Sequence, residues 1–325
     1  MNSPQLSIIM PAFNSGKYIR EAIFSVLNQT FHDFELIVIN DGSTDNTREI
    51  IHSFTDDRIK YFENLRNMGI VFSRNKGLEL VSGKFIGMVD SDDIIYPEKF
   101  QKQIDFLKNN PKYDMVGAWA RFIDEDGNRL PGGWKLNAPS NLIPSIMLFK
   151  NYFLQSAVVY RHECIKNFTF KEGFDILEDY LLWIEFLENH KAYNYKGFLL
   201  KYRIHNLGVT KDRAKERIEK EKKVFKIQLE KIGIIPNERE LDLHMLIRDA
   251  SLINDIAILN EIEVWLLKIL HYNNLNQVYG ETELKKVIYN RWLKSCYKAR
   301  KIKLRMILKF FTSRLSYLTL FRKFA

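Results

Sequence analysis

Four short runs of apolar, β-prone residues alternate with helical patterns over the first ninety positions, and few folds accommodate that order. Leu6 to Met10 is a continuous apolar run ended by Pro11, the form of a buried strand. Tyr18 to Thr30 then places Ile19, Ala22, Ile23, Val26 and Leu27 along one face of a helix. Glu35 to Asn40 predicts a second strand, Asn46 to Phe54 a helix, and Ile59 to Glu63 a third strand. Ser73 to Val81 predicts another helix and Phe85 to Val89 a fourth strand. Parallel strands joined by crossover helices are covered on both faces, so the fold class expected is α/β: a Rossmann-like, mostly parallel sheet flanked by helices.

The pattern then loosens. A helix is expected from Pro97 to about Leu107, a strand over Tyr113 to Phe122, a turn at Asp124 to Asn128 and an extended segment after it. Asn141 to Leu148 reads as helix, Gln155 to Tyr160 as strand, Tyr180 to Asn189 as helix and Leu199 to Ile204 as the last strand. From Asp212 onward the pattern is helical: Ala214 to Lys231 is laced with charge, and Leu241 to Leu270 is apolar at helical spacing. An accessory helical bundle is expected there, with a boundary near Thr210 to Asp212.

With 325 residues, 46% of them hydrophobic, the chain can bury a sizeable core, which excludes wholesale disorder. No apolar run approaches the roughly 18 residues of a spanning helix. No Lys or Arg precedes Lys17, so no secretory signal is expected. The two cysteines, Cys164 and Cys296, lie far apart without metal-ligand spacing, which speaks for a reducing compartment and against a disulfide framework. The net charge of +9 is unevenly placed: residues 284–325 carry 13 Lys and Arg and no acid, leaving 36 basic against 40 acidic residues before them.

Four segments carry candidate chemistry. Pro11-Ala12-Phe13-Asn14 follows the first strand, where open α/β sheets bind ligands, and is equally a plain strand-ending turn. Asp41 to Asp45 follows the second strand and serves as ligand contact or as helix cap. Asp90-Ser91-Asp92-Asp93 closes the fourth strand, and three carboxylates in four residues repel unless a cation sits among them, with hard oxygens suiting Mg²⁺ or Mn²⁺. Glu178-Asp179 opens a helix, where acids are favoured by the dipole or serve as a general base.

Taken in order, SIIMPAFN, VINDGSTD, NMGIVFSRNKGL, GKFIGMVDSDD and LEDYLLW resemble the family 2 glycosyltransferases of the GT-A fold, over roughly residues 5 to 210. The resemblance implies that residues 1–98 form the nucleotide-sugar half, residues 99–211 the acceptor half, and residues 212–325 a helical extension. Pro11, Ala12, Phe13 and Asn14 would line the nucleotide pocket, Asp41 would contact the base, usually uracil, and Arg74 would help hold the nucleotide. Asp90 and Asp92 match the Asp-X-Asp motif: Asp90, with Ser91, towards the ribose or the metal shell, and Asp92 as direct ligand of Mn²⁺ or Mg²⁺. Asp179 would be the catalytic base with Glu178 beside it, and His205 matches a position that approaches the metal or diphosphate. Asn206 to Thr210 departs from the serine-rich form common in relatives.

The reaction implied is an inverting, metal-dependent transfer from a nucleotide-sugar, a UDP-sugar by the resemblance, to a glycan or lipid-linked acceptor in surface polysaccharide assembly. A nucleotidylyltransferase would carry a glycine-rich basic loop near the N-terminus, where Pro11 to Lys17 offers only Gly16. A dinucleotide oxidoreductase would show Gly-X-Gly-X-X-Gly after the first strand. A non-catalytic binding protein on the same fold would tolerate loss of Asp92 or Asp179, and both are present. In the basic tail Leu304, Ile307, Leu308, Phe311, Leu315 and Leu318 share a helical stripe, with Lys301, Arg305 and Lys309 largely off it. That pattern predicts attachment to an anionic membrane surface, with packing in the bundle as the competing reading and no nucleic-acid partner. The location expected is cytoplasmic, on the inner face of the cell membrane. The bundle is also a candidate dimer or partner surface.

Overall fold

The computed structural model describes residues 3–205, 214–249, 253, 255–299 and 304–316. The chain divides into two compact units, one of residues 1–140 with 153–217 and one of residues 141–152 with 218–325.

The first unit is built on nine strands: β1 (Leu6–Ala12), β2 (Phe34–Asn40), β3 (Ile59–Glu63), β4 (Phe85–Met88), β5 (Ile94–Ile95), β6 (Met115–Ile123), β7 (Arg129–Trp134), β8 (Val159–Arg161) and β9 (Ala192–Arg203). Their order is β3-β2-β1-β4-β8-β6-β9-β5, with β7 on the side of β6. The β3-β2-β1-β4 half is parallel throughout, as the strand–helix alternation predicts. Beyond β4 the sheet is mixed: β8 is antiparallel to both neighbours, β6 and β9 run parallel, and β5 turns back on β9.

Every residue of β1 and β2 is buried. Leu6, Ile8, Met10, Leu36 and Val38 pack with Ile19, Ile23 and Val26 of helix Ile19–Leu27 and with Phe100 and Ile104 of helix Lys99–Asn109. On the opposite face helix Ile70–Leu80 lies so close that a Cβ on Gly77 would fall 2.4 Å from Ile9 Cγ2. A glycine is what lets that helix approach the sheet.

The strand does not stop at Pro11; it runs on to Ala12. Ile9 carbonyl oxygen accepts from Val89 and Ala12 carbonyl oxygen from Asp41, so odd positions of β1 face β4 and even positions face β2. Pro11 therefore presents its missing amide to the β4 side, where pairing has already ended at Ile9–Met88, and no ladder bond is lost. The segment expected as a strand over Gln155 to Tyr160 is a 3₁₀ turn at Gln155–Ala157 followed by β8. β5 and the short helix His162–Ile165 are too brief for any periodicity to reveal.

The second unit is helical, with helices Ile143–Met147, Ala214–Lys231 (from residue 218), Glu238–Asp249, Ile256–Asn276, Glu281–Lys298 and Leu304–Thr312. The apolar stretch Leu241 to Leu270 is two helices rather than one, because Asp255 caps a new helix by accepting the Ala257 amide at 2.8 Å. At its centre His244 stacks on Phe149 at 4.8 Å and accepts the Trp265 indole N–H at 3.3 Å. Part of the basic tail is built into this unit. Leu315 is buried, Trp292 donates to Ser316 Oγ at 3.1 Å, and Glu263 takes the Arg314 amide at 2.9 Å and the Lys309 ammonium. Leu308 and Phe311 of the same stripe are exposed. Lys301 and Leu318, and the side chains of Leu304, Arg305 and Ile307, lie outside the described residues. Among the described residues no helix is long and apolar enough to cross a membrane.

Candidate active site

The carboxyl ends of β1 and β2 are stitched together by short polar side chains. Asn14, in a left-handed backbone conformation (φ 47°), donates its amide to Ser43 Oγ at 3.0 Å and accepts the Thr44 amide on Oδ1 at 2.9 Å. Asn is among the few residues that take this conformation at low cost. Asp41 is buried, and three donors reach its carboxylate: Asn64 Nδ2 (2.7 Å), the Met68 amide (2.9 Å) and the Gly69 amide (2.8 Å). Asp41 thereby fastens the loop that leads into helix Ile70–Leu80. Gly42 (φ 67°) has no room for a side chain, since a Cβ would sit 2.4 Å from the Arg66 carbonyl carbon. Phe13 projects outward, whereas Pro11 and Ala12 are buried within β1.

The acidic loop after β4 is organised differently, around two arginines. Arg74 is 5% exposed and donates to Asp90 Oδ1 at 2.7 Å and to Glu178 Oε1, joining the end of β4 to the start of helix Glu178–Phe186. Burial opposes the guanidinium charge, but Asp90, Glu178 and Asp179 outweigh it and hold Arg74 charged. Its Nε and Glu178 Oε2 are buried without a partner among the described residues. Burial pushes the Glu178 carboxyl up, with Asp90 and Asp175 adding to the rise and Arg74 opposing it. Asp179 keeps part of its surface exposed, yet its carboxyl is hemmed in by protein and is raised to about 7 by burial and by Glu178, against the pull of Arg74.

Arg203, at the end of β9, is the second organiser. Its backbone amide donates to Asp93 Oδ1 (2.9 Å) and its Nε to the Asp92 carbonyl oxygen (2.8 Å), while the rest of the guanidinium reaches the Asp124 and Glu125 carbonyls and Glu21. Two residues on, His205 Nε2 faces Asp92 Oδ2 at 2.8 Å, and its Nδ1 is buried with no partner among the described residues. Asp93 is fully buried and pushed well up by burial and by Asp92 and Asp90. Burial and the charges of Asp93, Asp92, Asp90 and Asp179 likewise raise the Tyr202 hydroxyl, which sets these carboxylates in one electrostatic neighbourhood. Ser91 shares a hydrogen bond with Ser15 Oγ at 2.8 Å, tying the acidic loop to the turn after β1.

Of the residues singled out from the sequence, Arg74, Asp90, Glu178 and Asp179 meet in one cluster, and Asp92 pairs with His205. Asn14 and Asp41 belong to the neighbouring strand ends. Sequence reasoning missed Arg203, whose signal was available: a run of three acids closing a buried strand calls for a cation, and Arg203 stands two residues before His205. It also missed Ser156, whose Oγ accepts the Asp90 amide at 2.9 Å, and Gln155, a buried side chain with neither amide atom partnered among the described residues.

The donor set suits a divalent cation. Two carboxylates at one strand end and an imidazole already turned towards one of them match Mn²⁺, and the carboxylates alone match Mg²⁺.

The family model of glycosyl transferase family 2 matches residues 7–170. An uncharacterized glycosyltransferase of Haemophilus influenzae is 32% identical over 307 residues, 90% of this chain and 87% of the relative. Escherichia coli WfgD, named UDP-Glc:alpha-D-GlcNAc-diphosphoundecaprenol beta-1,3-glucosyltransferase, is 35% identical over 219 residues, 66% of this chain and 83% of that protein. The solved structure of S. aureus TarS 1-349 in complex with UDP-GlcNAc shares the fold, with a TM-score of 0.60 at 20% identity, covering 92% of this chain and 90% of that one. The fold is therefore GT-A, and with half the chain matched by the family model and nine-tenths aligned to a relative, the protein belongs to glycosyltransferase family 2 and is a glycosyltransferase.

Proposed function

We propose that the protein moves a sugar from a UDP-sugar to a hydroxyl of a glycan or lipid-linked acceptor, inverting the anomeric centre in a single displacement. The observation that carries this reading is the Arg74 bridge, which brings Asp90 of the acidic loop and the Glu178-Asp179 pair into one cluster. Such a displacement needs a base for the acceptor hydroxyl and positive charge near the leaving diphosphate. Asp179 supplies the base: a carboxyl raised to about 7 is matched to accepting a proton near neutrality, a contribution of roughly 10²–10⁴-fold. Glu178, locked to Arg74, keeps the neighbouring negative charge that sustains this raised value.

Asp90, Asp92 and His205 hold Mn²⁺ or Mg²⁺ in this reading, and the bound metal supplies Lewis-acid neutralisation of the diphosphate. Phe13 and Asn14, backed by Pro11 and Ala12, form the nucleotide side together with Asp41, Arg74 and Ser91. Among the described residues Asp41 Oδ2 accepts from the Gly69 amide, and a carboxylate oxygen takes two donors, which leaves it able to accept from a uracil N–H. The names of WfgD and of the TarS complex favour a UDP-linked donor, and that of WfgD a lipid-diphosphate acceptor. On this reading residues 1–98 bind the donor, residues 99–211 shape the acceptor side, and the helical residues 212–325 carry the basic tail to the inner face of the cell membrane, with Leu308 and Phe311 as the exposed apolar contacts.

Calorimetric titration of UDP with and without Mn²⁺ tests the assignment in wild-type, Asp92→Ala and Asp179→Asn proteins. Metal-dependent binding is expected in wild type and in Asp179→Asn, and its loss in Asp92→Ala. Failure of folded wild-type protein to bind any nucleoside diphosphate would sink the donor assignment.

A further inference from the structure

Asp114, Cys164 and His190 come together in the first unit from three separate segments: the residue before β6, the helix His162–Ile165 and the residue two before β9. Cys164 Sγ lies 3.5 Å from Asp114 Oδ1, and His190 Nδ1 lies 3.2 Å from Asp114 Oδ2. The three ligand atoms all fall within 4.8 Å of one another. We infer that Asp114, Cys164 and His190 form a binding site for Zn²⁺, separate in residues and in chemistry from the acidic loop after β4.

The spacing supports this. A tetrahedral zinc with bonds near 2.0 Å to oxygen and nitrogen and 2.3 Å to sulfur sets its ligands about 3.3 Å (N to O) and about 3.5 Å (S to O) apart. The sulfur and the imidazole nitrogen stand near these separations from different oxygens of Asp114, and all three ligand atoms lie within 4.8 Å of one another, so a single cation between them needs the carboxylate to chelate or to turn one oxygen towards both. The ligands are also held in place from behind. Lys191 donates its backbone amide to Asp114 Oδ2 at 3.0 Å, and the His190 ring stacks on Phe186 at 4.5 Å with Phe168 edge-on at 5.9 Å. Asp114 and His190 keep 21% and 24% of their side-chain surface exposed, which leaves an entry path and room for a solvent ligand.

Two other readings of the cluster are weaker. A Cys-His-Asp nucleophile needs a thiolate in the metal-free protein, whereas burial and the Asp114 charge push the Cys164 thiol up to about 12, a rise that only a bound cation would offset. As a plain hydrogen-bonded trio it gains little, since a thiol is a weak donor. The nearby Arg161 guanidinium does not compete for the carboxylate, because it donates to the Tyr113 and Leu107 carbonyls at 3.0 and 2.6 Å. A thiolate, an imidazole and one carboxylate suit zinc, while Mg²⁺ prefers oxygen alone.

The test uses metal-free full-length protein titrated with Co²⁺ as a spectroscopic stand-in. A thiolate-to-cobalt charge-transfer band that saturates at one equivalent and is displaced by Zn²⁺ is expected in wild type. The band should persist in Asp92→Ala and vanish in Cys164→Ser, which keeps the side-chain shape. Zn²⁺ should raise the melting temperature of wild type by several degrees, and that of His190→Asn not at all. No thiolate band in folded wild-type protein would overturn the inference, and so would a band that survives in Cys164→Ser, since it would belong to Cys296. UDP binding reads the other site independently, so failure of one assignment leaves the other standing.

Discussion

The carboxylates at neighbouring strand ends of the first unit are treated in opposite ways. Asp41, after β2, receives three hydrogen bonds, two of them from backbone amides, and serves as the knot of its loop. Asp93, Glu178 and Asp179 are buried or hemmed in and crowded by other carboxylates, and all three are pushed upward in pKa. A carboxylate surrounded by amides holds shape. One surrounded by other carboxylates is poised to take a proton or a cation. Arg74 and Arg203 are what make the second arrangement tolerable inside a fold.

Removing Arg74 should break this contrast most severely. Arg74→Met strands Glu178 and Asp90 without their counter-ion, and a cost of about 3–5 kcal/mol is expected from urea midpoints, together with loss of transfer. Adding Glu178→Gln to that variant should recover part of the stability, because one of the two stranded charges is then gone; no recovery would mean that the guanidinium acts through packing. Next in size, Asp179→Asn should lower kcat by about 10²–10⁴-fold with the Kd for UDP unchanged, and an equal loss of donor affinity would reassign Asp179 to binding.

The raised Asp179 also fixes a sign with pH. The native carboxyl keeps a proton up to about 7, whereas the unfolded one releases it near its ordinary value of 3.8. Stability from this group is therefore full below that ordinary value and falls as pH rises towards 7, while the base form, and with it kcat/KM, rises through the same window. Denaturant midpoints and rates measured between pH 5 and about 8 should move in opposite directions. The smallest effect should come from Asp41→Asn, which turns an acceptor into a donor facing N–H groups. A loss of about 1–3 kcal/mol is expected, with kcat reduced far less than by Asp179→Asn.

What the sequence made legible follows from how local each signal is. β1 to β4 and their helices announce themselves because each is a continuous run, and β2 and β3 each pair with the strand just before them in the chain. The Asp90–Asp93 run and the Glu178-Asp179 pair were visible as charge at element ends. β5, with two residues, and β8, with three, carry no period, and their places in the sheet depend on partners far along the chain. The break within Leu241 to Leu270 hung on the single cap Asp255 in an apolar stretch. Arg203 was hidden for another reason: its role comes from five acceptors gathered from three places in the sequence. For the same reason Asp114, Cys164 and His190, 50 and 76 positions apart, escape any motif based on spacing.

Arg203 has a consequence for the order in which the molecule is made. It fastens the Asp92-Asp93 loop, some 110 residues upstream, and reaches back 182 residues to Glu21. During synthesis the first four strands and their helices can pair as they emerge, since their contacts are local. The Asp92-Asp93 end of the acidic loop, by contrast, waits for its arginine until β9 has been translated and laid beside β6. A ribosome stalled before that point is expected to display a chain with most of its sheet but with the Asp92-Asp93 end of the loop still lacking its arginine.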